Sequence, residues 1–149
     1  MAEIKFTKKQ ISQLRKIDIG VIYLFGSRAK GKIHPFSDFD IGIVFNEPEK
    51  YKDKTLDIYL RLYDIFIDVL PKDYLKRRFE MREYEFDLVF LQFAPINLQF
   101  NAIKDGEVLY EKNKEAKFRY QEDVMKRIAD FQYFNNMRYK TISERLAKI

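Results

Sequence analysis

Two aspartates, Asp38 and Asp40, lie two positions apart at the start of the apolar segment DFDIGIVF. Side chains alternate across a strand, so the two carboxylates would share one face, about 6–7 Å apart. At an effective dielectric constant near 20, their repulsion is about 2–3 kcal/mol. A bound divalent cation would remove that repulsion. Mg²⁺ suits the pair because it takes one or two carboxylates and completes its shell with waters and substrate phosphates.

A Gly-Ser turn precedes the aspartates, with ten residues between Ser27 and Asp38. Gly26 lets backbone approach a ligand closely, and Ser27 offers a hydroxyl and an amide at the expected start of a helical turn, where free N–H groups favour phosphate. Arg28 and Lys30 follow, as either phosphate contacts or ordinary surface charges. The chain contains no Walker A loop. Turn and carboxylates together predict a site for a nucleoside triphosphate and its metal.

A third acid would complete this chemistry. Asp87 begins the segment DLVFL, and it would lie near the two metal ligands if its strand pairs beside the strand of Asp40. It would then hold a second metal or accept a proton from the attacking hydroxyl, since two metals clamp the attacking and leaving oxygens in phosphoryl-type transfers. Asp68 is the alternative third acid, ranked lower because its neighbours predict a helix.

The elements that must position these residues follow from apolar periodicity. Strand patterns cover 19–25, 38–45, 86–93 and 107–111, and helical patterns cover 7–17, 54–70 with a continuation over 72–82, 95–105 and 115–147. Strand and helix patterns interleave. The predicted fold class is therefore α/β (α+β), a small sheet with helices packed on it.

Composition limits the function classes. The chain has 149 residues, of which 46% are hydrophobic and 16% aromatic, which fits one domain over 1–149 with a catalytic core at about 19–112. No cysteine is available for disulfides or thiolate metal sites. No apolar run approaches the roughly 20 residues that span a bilayer, so we expect a soluble cytoplasmic protein. The net charge of +5 permits a nucleotide or an acidic protein partner, and its spread over both ends makes nucleic acid the weaker expectation.

The long helix predicted over 115–147 exceeds what a domain of this size needs to cover its sheet, because about 33 helical residues extend roughly 50 Å. Its apolar residues spread over more than one face. One hypothesis is that one face packs on the core while residues 130–140 dock a partner. The alternative is a helix wholly buried against its own domain that can kink at Asn135-Asn136.

The Gly-Ser pair, ten residues and then Asp-Phe-Asp resemble the signature of the polymerase-β-like nucleotidyltransferases. The wider pattern FGSRAKG…SDFDIGI…FDLVFL…GEVLYE resembles the minimal nucleotidyltransferases, the MNT proteins, over about residues 19–112. The resemblance implies the fold of that superfamily, with a small mixed sheet flanked by helices. It also implies that Gly26 and Ser27 bind the triphosphate of ATP, that Asp38 and Asp40 hold Mg²⁺, and that Asp87 completes the catalytic and metal-binding triad.

MNT proteins are commonly antitoxins whose partner toxin is a HEPN-domain ribonuclease. The resemblance therefore implies transfer of AMP from ATP to a tyrosine of such a toxin, in a hetero-oligomer. Two alternatives stay open: transfer to a small-molecule acceptor such as an aminoglycoside, and an antitoxin that acts by binding alone. An isolated Asp-x-Asp pair is more often a solvated loop end than a metal site, and the Gly-Ser turn at its spacing together with Asp87 argues against that interpretation here.

Overall fold

The computed structural model describes residues 4–26, 39–69 and 86–148 of the chain. Within these ranges the chain forms α1 (Lys8–Lys16), β1 (Ile19–Phe25), β2 (Phe39–Phe45), α2 (Thr55–Val69), β3 (Phe86–Phe90), α3 (Ile96–Asp105), β4 (Glu107–Glu111) and α4 (Lys114–Ala147). Short 3₁₀ turns occupy Pro48–Tyr51 and Leu91–Phe93. The predicted helix over 72–82 lies outside the described residues.

The four strands form one mixed sheet in the order β3-β2-β1-β4. β1 is antiparallel to both β2 and β4, whereas β2 and β3 run parallel. The predicted mixed sheet flanked by helices and followed by a long C-terminal helix is confirmed. Because β2 is antiparallel to β1 and parallel to β3, the end of β1 and the starts of β2 and β3 meet at the same end of the sheet.

One face of the sheet is covered by α1 and α2. α1 begins with a capping box, in which Thr7 Oγ1 accepts from the Gln10 amide at 3.2 Å and Gln10 Oε1 accepts from the Thr7 amide at 2.8 Å. The apolar core on this face comprises Leu14, Ile17, Ile19, Ile22, Leu24, Ile41, Ile43, Phe45, Ile58, Leu62, Ile65, Phe66 and Tyr110. Ile41 and Ile43 therefore point away from the side of the sheet to which alternation assigns Asp40.

The other face is covered by α3 and α4. Its buried core comprises Val21, Tyr23, Phe25, Val44, Leu91, Ala102, Tyr120 and Val124. The fully buried Gln99 joins the two helices, because its Nε2 donates to the Ala94 carbonyl at 2.8 Å and its Oε1 accepts from the Tyr120 hydroxyl at 3.0 Å. These bonds satisfy a buried amide, which would otherwise be costly, and they fix α4 on the sheet.

The third strand is shorter than its sequence predicts. The apolar pattern predicts a strand over 86–93, but β3 ends at Phe90 and a 3₁₀ turn follows. Leu91 folds over β2 at Gly42, where an added Cβ would lie 2.6 Å from Leu91 Cδ1. Gln92 then bonds both backbone groups of Phe45, accepting from its amide at 2.7 Å and donating to its carbonyl at 2.8 Å. The turn thereby anchors the end of β3 to β2.

Replacing Gln92 by Ala should lower the free energy of unfolding by about 1–3 kcal/mol, because both hydrogen bonds to Phe45 are lost in a half-buried position. Gln92→Glu is the matched variant, since it retains an acceptor for the amide and loses the donor to the carbonyl. Urea unfolding followed by circular dichroism measures both. Equal stability of Gln92→Ala and the parent would show that the turn does not anchor β3.

The long helix α4 begins at Lys114, one residue before the predicted start, with the Asn113 side chain accepting from the Ala116 amide at 2.7 Å. Ala116, Tyr120, Val124 and Ile128 are buried at steps of four residues, which is one helical face. Every residue from 129 to 148 is exposed. Burial of the whole helix against its own domain, the alternative stated above, is therefore wrong. Within the described ranges, none of the helices combines the length and apolar composition that crossing a bilayer requires.

Candidate functional site

The candidate site lies at the end of the sheet where β1 ends and where β2 and β3 begin. The register places Asp40 of β2 directly opposite Phe25 of β1 on one side and Asp87 of β3 on the other. Neighbouring strands are about 4.8 Å apart, so the two aspartates are adjacent, and alternation points both to the face that carries Val44 and Val89. The structure thus brings Asp87 beside Asp40, across a parallel strand pair.

Gly26 follows β1 at this end and has a positive φ of 81°. A side chain at this position would lie 3.0 Å from Cγ of Asp40 and would overlap its carboxylate oxygen. The positive φ favours glycine, and any side chain at this position would also have to displace the Asp40 carboxylate. The sequence motif predicts a close approach to a ligand at Gly26 but not the proximity of Asp40, because Asp40 is 14 positions away and only the strand pairing brings it near.

The burial of Asp40 and its position beside Asp87 determine the electrostatics of these two carboxylates. Burial raises the pKa of Asp40 above its ordinary value, and the charge of Asp87 raises it further. Within the described part of the chain, no Lys or Arg forms an ion pair with either carboxylate. A half-buried carboxylate beside a second carboxylate favours binding of a cation. The positive charge offsets both the desolvation of the buried carboxylate and the repulsion between the two negative charges.

Hard oxygen donors of this kind fit Mg²⁺, which is usually bound by one or two carboxylates together with waters and substrate phosphates. In the described ranges, no cluster of three or more His, Asp or Glu side chains gathers around one point. Asp40 and Asp87 are thus two candidate ligands among the described residues. The other predicted site residues, Asp38, Ser27, Arg28 and Lys30, lie outside the described residues.

Asp68, the alternative third acid, is placed elsewhere. It lines a cleft of about 420 Å³ between α1 and α2, together with Lys16, Arg61 and Asp64. These helices cover the face of Ile41 and Ile43, whereas Asp40 and Asp87 belong to the opposite face. The structure does not bring Asp68 beside the strand-end aspartates.

Replacing Gly26 by Ala should lower the free energy of unfolding, by about 1–2 kcal/mol from the positive φ alone, and more because the added methyl group displaces the Asp40 carboxylate. Thermal unfolding of the single variant and of Gly26→Ala with Asp40→Ala separates the two effects, since the double variant removes the collision and keeps the backbone strain. The double variant should be more stable than the sum of the single changes predicts. Simple additivity would contradict the contact.

Comparison with known families decides how this geometry is interpreted. The model of the polymerase beta nucleotidyltransferase family matches residues 8–115, which contain β1 to β4 and every site residue named above. The chain belongs to this family. The resemblance drawn from the sequence motif is confirmed at the level of the family and its fold.

Among curated proteins of this family, the protein adenylyltransferase MntA of Aphanizomenon flos-aquae (strain 2012/KM1/D3) is 30% identical to the chain over 105 residues. The alignment covers 70% of this chain and 65% of MntA. The chain thus spans slightly less than two thirds of the length of this curated nucleotidyltransferase.

Solved structures with this fold include a toxin–antitoxin with AMP-PNP, which is 21% identical with a TM-score of 0.50 and covers 91% of this chain and 94% of its own. A mutant of the toxin–antitoxin MntA-HpeT is 20% identical with a TM-score of 0.50, and covers 93% of this chain and 96% of its own. At these identities the likeness shows the nucleotidyltransferase fold.

Proposed function

We propose that the chain, acting as one nucleotidyltransferase domain, transfers AMP from ATP to a tyrosine hydroxyl of a HEPN-domain toxin and serves as its antitoxin. The observation that carries the proposal is the in-register pair Asp40 and Asp87 next to Gly26, at the sheet end of a polymerase beta nucleotidyltransferase. Catalytic and metal-binding roles are assigned to Asp38, Asp40 and Asp87, and nucleotide binding to Gly26, Ser27, Arg28 and Lys30.

The proposed reaction is a displacement at the α-phosphorus of ATP. A bond forms between the acceptor oxygen and the α-phosphorus, the bond from the α-phosphorus to the bridging oxygen breaks, and pyrophosphate leaves with the electron pair. The tyrosine hydroxyl has an ordinary pKa near 10, so its proton must leave as the new bond forms. The carboxylate of Asp87 is assigned that proton, because Asp87 is exposed whereas Asp40 is half-buried.

Mg²⁺ is the proposed metal, held by Asp38, Asp40 and Asp87 with the triphosphate. When bound, it supplies positive charge that stabilises the negative charge accumulating on the phosphate oxygens. The protein's own contribution is to hold two carboxylates in register on adjacent strands and to prevent one of them from being fully hydrated. The raised pKa of Asp40, caused first by burial and then by Asp87, is consistent with a carboxylate built to meet a cation.

The acceptor and partner are inferred from relatives. MntA of Aphanizomenon flos-aquae is named a protein adenylyltransferase, and a structure with the same fold is a toxin–antitoxin with AMP-PNP. The motif around Gly26 and Asp40 resembles that of the MNT proteins, and this resemblance implies a partner of the HEPN class. A cytoplasmic location follows from this assignment, since both ATP and the RNA substrates of a ribonuclease toxin are found there.

To test the proposal, the purified chain is incubated with ATP labelled at the α-phosphate, Mg²⁺ and the cognate HEPN-domain protein. Label on a tyrosine of the partner, located by mass spectrometry and abolished by EDTA, supports the proposal. Label transferred only to an added aminoglycoside would support a small-molecule acceptor instead. Neutralisation of the toxin without any transfer of label would show an antitoxin that acts by binding.

A further inference from the structure

The C-terminal part of α4, residues 129–148, is termed the projecting segment. All its residues are exposed, whereas Ala116, Tyr120, Val124 and Ile128 bury the preceding part. Its helical part, residues 129–147, extends about 30 Å beyond that contact. Isolated helices of this length are marginal in water, and helices in proteins owe most of their stability to packing of an apolar face. A helix that leaves its own domain in this way requires another surface.

The projecting segment carries exposed apolar side chains on more than one side, among them Tyr133 on the side away from Phe131. At 100° per residue, Phe131, Phe134 and Ile142 fall on one side of the helix, while Gln132, Asn136 and Ser143 fall on the opposite side. The first side, termed the docking face, is in line with the face that is buried earlier in α4. Phe134 is 65% exposed, and Met137 and Ile142 are each 50% exposed. Large exposed apolar groups that continue a buried helical face are typical of a helix that packs on a partner.

The docking face has a shallow groove between its own side chains and carries positive charge. Phe134, Met137, Arg138, Thr141, Ile142 and Arg145 surround a depression of about 320 Å³. Interface cores favour aromatic residues, Met and Arg, so this composition fits a protein surface. The projecting segment contains four basic residues and two acidic ones, Asp130 and Glu144. Apolar side chains from a partner would fill the depression, and acidic side chains at its edge would pair with the two arginines.

A second copy of the chain fits this face less well. A symmetric pair uses the same patch on both copies, so two net-positive segments on chains of net charge +5 would face each other. Nucleic acid fits less well also, because the centre of the face is apolar and the arginines are only two. The charge and the apolar depression favour a different protein with an apolar, acidic-edged surface.

We propose that the docking face of the projecting segment binds the protein acceptor and holds it for modification at the strand-end site. This inference rests on the proposed function, since it names the surface through which the acceptor is recruited. Binding of the acceptor at a surface remote from the reacting atoms raises the effective concentration of its hydroxyl group at the catalytic site, as linked binding sites do. The C-terminal helix is thereby an acceptor-binding element, separate from the residues that bind ATP.

The test compares Phe134→Asp and Met137→Asp with the matched variants Gln132→Asp and Ser143→Asp, which add the same charge to the opposite side of the same segment. The probe is the cognate HEPN-domain protein, and its affinity is measured calorimetrically in an Asp40→Asn background, so that binding is scored without turnover. Each docking-face variant should weaken binding at least about 30-fold, as loss of a central apolar anchor does. The matched variants should bind within about threefold of the parent, as residues outside an interface do.

Two control measurements show whether each variant is folded and still binds the nucleotide. Binding of AMP-PNP and the thermal unfolding temperature should be unchanged in all four variants, because these side chains are exposed. Unchanged partner affinity in Phe134→Asp and Met137→Asp overturns the docking face. Concentration-dependent dimerisation of the free chain that Phe134→Asp abolishes, seen by sedimentation, would assign the face to a second copy and also overturn it. A parent chain that binds the HEPN protein through this face but transfers no AMP leaves the inference intact and refutes the proposed function.

Discussion

Replacing Asp40 by Asn is expected to lower AMP transfer at least about 100-fold while the fold is retained. The substitution keeps the shape of a half-buried side chain and removes one of the charges that would hold the metal and triphosphate, and loss of one such electrostatic group typically has an effect of this size. Asp38→Asn should behave in the same way. The measurement is transfer of labelled AMP to the HEPN-domain protein over a range of Mg²⁺ concentrations.

The same variant should be more stable than the parent when no metal is present. Burial, and then the charge of Asp87, raise the pKa of Asp40 above 3.8. The Asp40 carboxyl group therefore stays protonated to a higher pH in the folded protein than in the unfolded chain. Stability therefore falls as pH rises through this range, because the folded state binds more protons. The difference in unfolding temperature between Asp40→Asn and the parent should be small well below pH 3.8 and larger at neutral pH.

Asp57→Asn provides the control for both measurements, since Asp57 is an exposed residue of α2 paired with Arg61. It should change neither transfer nor the pH dependence of unfolding appreciably. Full transfer activity in Asp40→Asn would refute the metal assignment. A parent chain in EDTA that is more stable than the variant at neutral pH would refute the repulsion between Asp40 and Asp87.

The second large effect is expected at Asp87. Asp87→Asn should lower turnover by about 10²–10⁴-fold, the usual contribution of a positioned general base. Affinity for ATP should change much less, because a group that acts in the transition state contributes mainly to the chemical step. Single-turnover transfer and calorimetric binding of AMP-PNP separate the two quantities. The exposed carboxylate lies opposite Asp40, which places it next to any metal held there.

Asp68→Asn is the matched control, because it is the same substitution at the acid that the sequence offered as an alternative. Its side chain lines the cleft between α1 and α2, on the other face of the sheet. Transfer should be nearly unaffected. A larger loss of turnover in Asp68→Asn than in Asp87→Asn would mean that the wrong third acid has been assigned.

Much of the fold is predictable from local pattern. The continuous apolar run over 19–25 is a strand at the predicted residues, and the strand at 107–111 is also confirmed. The end of β3 was predicted wrongly, because Leu91 and Gln92 leave the strand to contact Gly42 and Phe45, and such contacts between distant residues leave no periodic signal. The sequence also does not predict that burial of α4 ends after Ile128, because apolar residues continue along the helix beyond that position.

The candidate site, like the fold, is only partly predictable from the sequence. The spacing of Asp38 and Asp40 and the Gly-Ser turn are local features, so the motif was visible in the sequence. The position of Asp87 depended on an assumed strand pair, which the parallel register of β2 and β3 confirms. The close approach of Gly26 to Asp40 was not predictable, because it requires the antiparallel register that pairs Phe25 with Asp40.

The position of β4 in the sheet has a consequence for how the protein is made. β1 is an inner strand, and one of its two neighbours is β4, in which Glu111 pairs with Val21. Residues 21–24 therefore cannot complete their pairing until residues 107–111 have been made. Pairing across such a separation carries a loop-closure penalty and slows folding. A nascent chain cannot complete its sheet until the ribosome has passed Glu111, and α4 must emerge after that to cover Val21 and Tyr23. The sheet that holds Asp40 and Asp87 is thus complete only after β4 has been made.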